Sequence, residues 1–287
     1  MSQYIIVQST GSDSDATVFD LAVQVARRGP THLEFLHVSP DVRDMMAALT
    51  PGLMGDAYGL QQIVDEFEQA AQERAQRAEQ IVRTLCEREK ITISGDVSTH
   101  GTTAAFRHKT GVEANILPSH GRVADLVVIG RNAPAGYGQT ELLGTLLLEA
   151  GRPILLCPTA PTVLPPNGTI AIAWKDRPQA ARAVAGARGF IETAEHVVIL
   201  TIDEDEEDPA DSLLAHALSW QTKKVTSVHL SLDGQLTADA LLAAATKAGA
   251  GLLVMGGYGH TRLREAVFGG VTRRVMAHAD IPVLIMH

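Results

Sequence analysis

Asp125-Leu126-Val127-Val128-Ile129-Gly130 and Gly251-Leu252-Leu253-Val254-Met255-Gly256 are two short apolar runs, each closed by a glycine. Continuous apolar runs of this length, bounded by turn-forming residues, predict strands buried on both faces of a parallel sheet. Other matches lie on either side. Tyr4-Ile5-Ile6-Val7 is echoed by Thr169-Ile170-Ala171-Ile172, and His32 to Val38 by His196 to Ile202, at offsets of about 165. Pro153-Ile154-Leu155-Leu156-Cys157 is echoed by Pro282-Val283-Leu284-Ile285-Met286 at an offset of about 129, close to that of the opening pair. Four matches in conserved order indicate an internal duplication. The fall in offset assigns roughly 38 extra residues to the first half, in the Met/Gly/Pro-rich stretch Met45 to Gly59 and a helical stretch from Ile63 to about Glu89. The expected organisation is a domain over 1–158, a Pro-rich, semi-rigid linker over 159–168 and a second domain over 169–287.

Between the strands the period changes. Val18, Phe19, Leu21, Ala22, Val25 and Ala26 follow helical spacing behind candidate caps Ser12 and Ser14. Ala180, Ala183, Val184 and Ala187 do the same behind Asp176, a candidate cap, and Pro178, a first-turn proline. Alternating strands and helices predict right-handed crossovers and a parallel sheet with helices on both faces. Ligands of such sheets bind beyond the carboxyl ends of the strands, so function is expected in the loops after Val7/Ile172, Val38/Ile202 and Gly130/Gly256.

Composition narrows the classes. The 287 residues are 45% hydrophobic and 20% charged, the balance of a globular chain. A net charge of −9 with no basic run argues against nucleic-acid and anionic-membrane binding. Cys86 and Cys157, the only cysteines, form no CxxC, which excludes a disulfide scaffold and a cysteine-built zinc site. The opening Met1-Ser2-Gln3-Tyr4-Ile5 has no basic n-region, and no eighteen apolar residues run together. A cytoplasmic location is expected.

The loop richest in chemistry runs from Met255 to Arg274. It leaves a strand and enters a helix near Gly270 to Arg273. Glycines let backbone N–H groups approach an anion, and a helix start adds the positive end of its dipole. Thr272 adds a hydroxyl, and Arg262, Arg264, Arg273 and Arg274 add positive charge. A glycine-rich strand-to-helix turn without a ligand is the competing reading.

The spacing Gly256, two residues, Gly259, nine residues, Gly269, then Gly270-Val271-Thr272 resembles the phosphate-binding signature of the universal stress protein family. With the repeat, the chain resembles a tandem universal stress protein. That resemblance implies two Rossmann-like (adenine nucleotide alpha hydrolase-like) α/β domains, each a five-stranded parallel sheet of order 3-2-1-4-5. It also implies pairing of the last strands, Ile154 to Cys157 and Val283 to His287, within one chain or across a homodimer, which would cover an exposed sheet edge.

On this resemblance ATP or another adenine nucleotide, with or without Mg, is expected in the second half. The candidate binding residues are Ala173, Trp174, Lys175, Ile202, Gly256, Gly259, His260, Gly269, Gly270, Val271 and Thr272. The chain departs from the family pattern at Gly270, where Ser or Thr is usual, and at Lys175, near where nucleotide-binding members carry an Asp. In the first half Thr10 stands at the acid's place. There Arg131 to Gln139 follows Gly130 with no Gly-Ser or Gly-Thr at the expected helix start, since Gly144-Thr145 falls about four residues late. The first half is therefore expected to be degenerate.

Other residues are read plainly. The acid run Asp203 to Asp208 is read as a solvated loop in preference to a magnesium site. His32 and His37 fall on opposite faces of a strand, no HExxH occurs, and no structural metal is expected. Trp174 is read as a core or pocket-wall residue ahead of a base-stacking one. Met45, Met46 and Met54 form either an adaptable apolar lid or partner surface, or a disordered loop tip. There is no GxxxxGK[ST], GxSxG or GxGxxG, and no catalytic group is assigned. The leading expectation is a nucleotide-binding regulatory protein of the stress response with an unidentified protein partner. The alternatives are a slow nucleotide-hydrolysing or adenylating enzyme and a ligand-free interaction protein with vestigial pockets.

Overall fold

A computed structural model describes residues 3–41, 57–95, 101–131, 137–202, 210–257 and 269–287. In the first half the strands are β1 (Gln3–Ser9), β2 (Thr31–Ser39), β3 (Thr92–Ile93), β4 (Thr102–Thr110), β5 (Leu126–Gly130) and β6 (Ile154–Cys157). Its helices are α1 (Asp15–Ala26), α2 (Ala57–Glu89), α3 (Glu113–Gly121) and α4 (Tyr137–Glu149). The second half has β7 (Thr169–Ala173), β8 (His196–Ile202), β9 (Val225–Leu230), β10 (Ala250–Gly256) and β11 (Val283–Met286). Its helices are α5 (Pro178–Gly186), α6 (Arg188–Ile191), α7 (Ala210–Leu218), α8 (Thr237–Lys247) and α9 (Gly270–His278).

All strands join one eleven-stranded sheet of order β3-β4-β2-β1-β5-β6-β11-β10-β7-β8-β9. In the first half β1 is central, with β2, β4 and β3 on one side and β5 and β6 on the other; in the second half β7 is central, with β8 and β9 on one side and β10 and β11 on the other. Every pairing is parallel except β6 with β11, which run antiparallel with Leu155 opposite Leu284. The last strands thus meet within the chain and merge the two expected five-stranded sheets into one. The two-residue β3 extends the first half's outer edge, beyond the five strands expected.

Side chains alternate across the sheet as strand geometry requires. Ile5, Val7, Leu33 and Phe35 enter one core cluster; Ile6, Leu36, Val127 and Ile129 enter the other. Both clusters take residues from both halves: the first runs on to Phe190 and Leu284, the second to Val198 and Ile285. The linker is pinned rather than loose. Gln24 Nε2 donates to the Thr162 carbonyl (3.1 Å), and the Leu164 N–H donates to Gln24 Oε1 (2.7 Å). Arg28 donates to the carbonyl of Pro165 (2.9 Å) and to Thr193 Oγ1 (2.7 Å), with its guanidinium 4.9 Å from the Phe190 ring centre.

The helix caps differ from the sequence expectation. Ser14 occupies the N-cap of α1 without capping through its side chain. Arg177, not Asp176, occupies the N-cap of α5, in extended conformation and without a side-chain cap. Pro178, with no N–H to satisfy and φ already helical, starts that helix unaided. Neither third strand, β4 or β9, takes part in the four sequence matches. Both lie near the sheet's margins and are largely polar, so they carry little of the apolar pattern that marks the buried strands.

Candidate functional site: the carboxyl ends of the strands

In the second half, β7 pairs with β8 on one side and β10 on the other, so chain direction diverges at the carboxyl end of β7. Ala173 lies opposite Met255 and Leu200, which brings the ends of β7 and β10 together. Trp174 follows at once, its N–H donating to the Leu200 carbonyl (2.8 Å). The Trp174 ring packs against the core cluster holding Phe190 and Leu218, as the pocket-wall reading expected. Its indole Nε1, however, is buried with no hydrogen-bond partner among the described residues. Such a donor is destabilising where it stands unless an acceptor arrives. Lys175 and Asp176 are exposed. Ile202 ends β8 and packs, half-buried, against the opposite core cluster.

The helix start is open. Gly269 is the N-cap of α9 with φ −53° and no side-chain cap, and the Arg273 N–H makes the first helical bond to its carbonyl (3.1 Å). The N–H groups of Gly270, Val271 and Thr272 therefore lie in the first turn, where the helix provides no acceptor. Among the described residues, a Cβ at Gly269 or Gly270 would meet nothing within 4 Å. Thr272 is buried and Val271 packs against the core. Gly259 and His260, with Arg262 and Arg264, lie outside the described residues, as do the acid run after Ile202 and Met45, Met46 and Met54.

Two residues have close partners that the spacing does not show. Arg274 makes a two-bond ion pair with Asp239 of α8 (2.7 and 2.9 Å) and holds that carboxyl below its usual range. Gly256 has a packing role that its place in the spacing concealed. A Cβ there would lie 2.7 Å from the Ala180 backbone nitrogen and 2.8 Å from the Gln179 carbonyl carbon, so the end of β10 touches the first turn of α5. Gly257 is similar, with Ile285 Cγ2 at 3.0 Å and Leu147 of the other half at 3.4 Å.

The first half fills the equivalent place with its own side chains. The buried carboxylate of Asp15 accepts from the N–H of Thr10 (2.9 and 3.0 Å), the N–H of Gly11 (2.8 Å), Thr10 Oγ1 (2.6 Å) and Ser9 Oγ (3.2 Å). Helix α2 lies directly over that turn: a Cβ at Gly11, whose φ is +72°, would sit 2.5 Å from the Arg74 carbonyl oxygen. Gln8 spans the switch point, accepting from the Gly130 N–H (3.3 Å) and donating to Glu113 Oε1 (2.8 Å). Burial raises the Glu113 pKa above the ordinary carboxylate value. His37, also buried, donates from Nδ1 to the Ser9 carbonyl (2.8 Å). Asp15 and Gln8 escaped the sequence reading. An Asp a few residues beyond Thr10-Gly11, able to fold back on turn N–H groups, was the available signal for the first.

Helix α4 begins at Tyr137, about a turn earlier than the repeat alignment places it, and Gly144 lies within it. Among the described residues no three His, Cys, Asp or Glu side chains are grouped to hold a metal ion. Burial pushes Cys86 up to about 11 and Cys157 up to about 12, so neither is a ready thiolate nucleophile. No helix among the described residues is long and apolar enough to cross a membrane.

The fold, with a switch point in each half, defines a doubly wound α/β protein built as an internal pair. Residues 191–287 match the universal stress protein family. The whole chain is similar in fold to a universal stress protein from Archaeoglobus fulgidus DSM 4304, with a TM-score of 0.70 at 15% identity over 99% of this chain and 97% of that one. It is also similar to a protein of unknown function from Pseudomonas aeruginosa PAO1, with a TM-score of 0.52 at 16% identity over 99% of this chain and 92% of that one. Curated protein sequences provide no match. The family match in the second half and the whole-chain fold are consistent with a tandem universal stress protein.

Proposed function

We propose that the chain is a nucleotide-responsive regulatory protein of the stress response. Residues 169–287 act as the binding domain, 1–158 as a partner domain with a closed crevice, and 159–168 as the link. The ligand is ATP or a related adenine nucleotide. Its phosphates lie at the glycine-opened start of α9 and its adenosine part lies toward Ala173 and Trp174. The observation that carries this reading is the buried, partnerless indole N–H of Trp174 beside the switch point. That no described atom stands within 4 Å of a Cβ built on Gly269 or Gly270, beside first-turn N–H groups suited to a phosphate, supports it further. At most one nucleotide binds per chain, because Asp15 and α2 already take the place in the first half.

Calorimetry with ATP on the full chain tests this directly. One site lost in Gly269→Leu supports the reading, and two equivalent sites or indifference to that substitution overturns it. A second reading, a ligand-free interaction protein, is favoured by the packing role of Gly256 and by Lys175 standing near the usual acid. Absence of any nucleotide binding would establish it over the first. Steady hydrolysis of ATP abolished by the same substitution would instead favour an enzyme.

A further inference from the structure

Helix α2 is thirty-three residues long, about 50 Å, and belongs to the insert that the second half lacks. Its C-terminal part is built into the protein: Ala78, Val82 and Leu85 are buried, and Arg77 and Arg88 form ion pairs with Asp13 and Asp20 beside α1. The same stripe continues toward the N-terminus at helical spacing through Phe67 and Ile63, but there it is uncovered. Phe67 is 49% exposed and Ile63 42%. Two large apolar side chains one turn apart on a projecting helix are the pattern of an unfilled helix-in-groove contact.

Charge indicates what would cover it. At helical spacing Glu66 and Glu73 stand on one side of the stripe, Glu68 stands on the other and Asp65 lies on the far face, and residues 57–73 contain no Lys or Arg. Asp65, Glu66 and Glu73 accept hydrogen bonds from the neutral amides of Gln61, Gln62 and Gln69. The helix dipole does not account for these acids, since its effect fades within the first turn. A second copy fits poorly, because stripe against stripe would bring the two acidic flanks together. Lys and Arg flanking an apolar face would complement both features.

We propose that the exposed N-terminal part of α2, with Ile63 and Phe67 between acidic flanks, docks a basic amphipathic helical segment of a partner protein. The contact lies beyond Arg74, which rests on the closed turn of the first half, and is independent of nucleotide binding in the second.

The test is calorimetry of the full chain with a synthetic amphipathic Leu/Lys helical peptide. A Leu/Glu counterpart and a Lys/Gln peptide of equal charge but no apolar face serve as comparisons. The Leu/Lys peptide is expected to bind at least about tenfold more tightly than either, and more weakly as salt rises. Ile63→Ser/Phe67→Ser and Glu66→Lys/Glu68→Lys should each weaken it about tenfold or more, with helical circular dichroism retained because all four side chains are exposed. Failure to bind, or binding indifferent to both double substitutions, overturns the proposal, the latter marking general attraction to a negative protein. Self-association abolished by Ile63→Ser/Phe67→Ser also overturns it, in favour of a second copy.

Discussion

Gly256 and Ala180 approach so closely that a methyl group on Gly256 would lie 2.7 Å from the Ala180 backbone nitrogen. Strand β10 and helix α5 meet there through backbone, with no space for a side chain. Gly256→Ala should therefore destabilise the protein by about 1–3 kcal/mol, the usual cost of overpacking a filled site. Gly269→Ala should be close to neutral, since its φ of −53° suits any residue and its Cβ would meet none of the described residues. Urea unfolding midpoints of the two variants check the contrast. Equal midpoints would refute the packing role of Gly256.

Trp174→Phe removes the partnerless indole N–H while keeping most of the ring. The free protein should lose no stability and gain up to about 1–3 kcal/mol, the desolvation cost of an unsatisfied buried donor. ATP affinity should fall by a factor of a few to about tenfold, from loss of one hydrogen bond of about 0.5–1.5 kcal/mol. Thermal unfolding with and without ATP separates the two effects. A destabilised free protein would show that the N–H has a partner already.

On the proposed nucleotide reading, Lys175 stands near a position where an acid would accept from the adenosine part, and an ammonium group only donates. Base-tolerant binding is expected, with ATP and GTP competing on similar terms. Lys175→Asp should tighten ATP binding by a factor of a few up to about a hundred, if the acceptor restored is worth about 0.5–3 kcal/mol. Competition binding on both proteins is the measurement. Tight, ATP-selective wild-type binding that Lys175→Asp fails to improve would sink the argument.

Glu34 is 3% exposed at its side chain and held by Arg107 through two bonds of 2.6 and 2.8 Å. Burial would raise its pKa, but Arg107, Tyr4 and His120 together outweigh burial and hold it below the ordinary carboxylate value. A depressed carboxyl adds stability that is complete above its unfolded pKa of about 4.5 and is lost as pH falls through the lower folded value. Arg107→Ala strands the buried charge. It should cost about 3 kcal/mol at neutral pH and move acid unfolding to higher pH. An unchanged acid midpoint would contradict this account.

His37 titrates below the ordinary histidine value, chiefly because it is buried, with His108 and Arg74 adding to the effect against the Ser9 carbonyl and Asp15. The folded protein takes up its proton later than the unfolded chain. Stability from this group is therefore present above about 6.5 and falls as pH drops from there through the folded pKa. His37→Gln should flatten that part of the stability curve. Denaturant titrations at several pH values would disprove it if the slope persists.

Sequence alone determined the repeat, the α/β alternation, most central strands and the long insert helix. These follow from short-range patterns: apolar runs, a period near 3.6, and prolines between halves. The glycine spacing was legible as well, but its meaning was not. Gly256 has the same letter whatever approaches it, and only the placement of α5 shows how close that helix's backbone lies. Likewise only the placement of α8 shows the Asp239 that pairs with Arg274. The joining of two sheets into one depended on Leu155 meeting Leu284, partners far apart in the chain. Local sequence sets which segments can be strands or helices; which backbone groups and charges are already satisfied is decided by contacts between segments, and there the tertiary structure alone spoke.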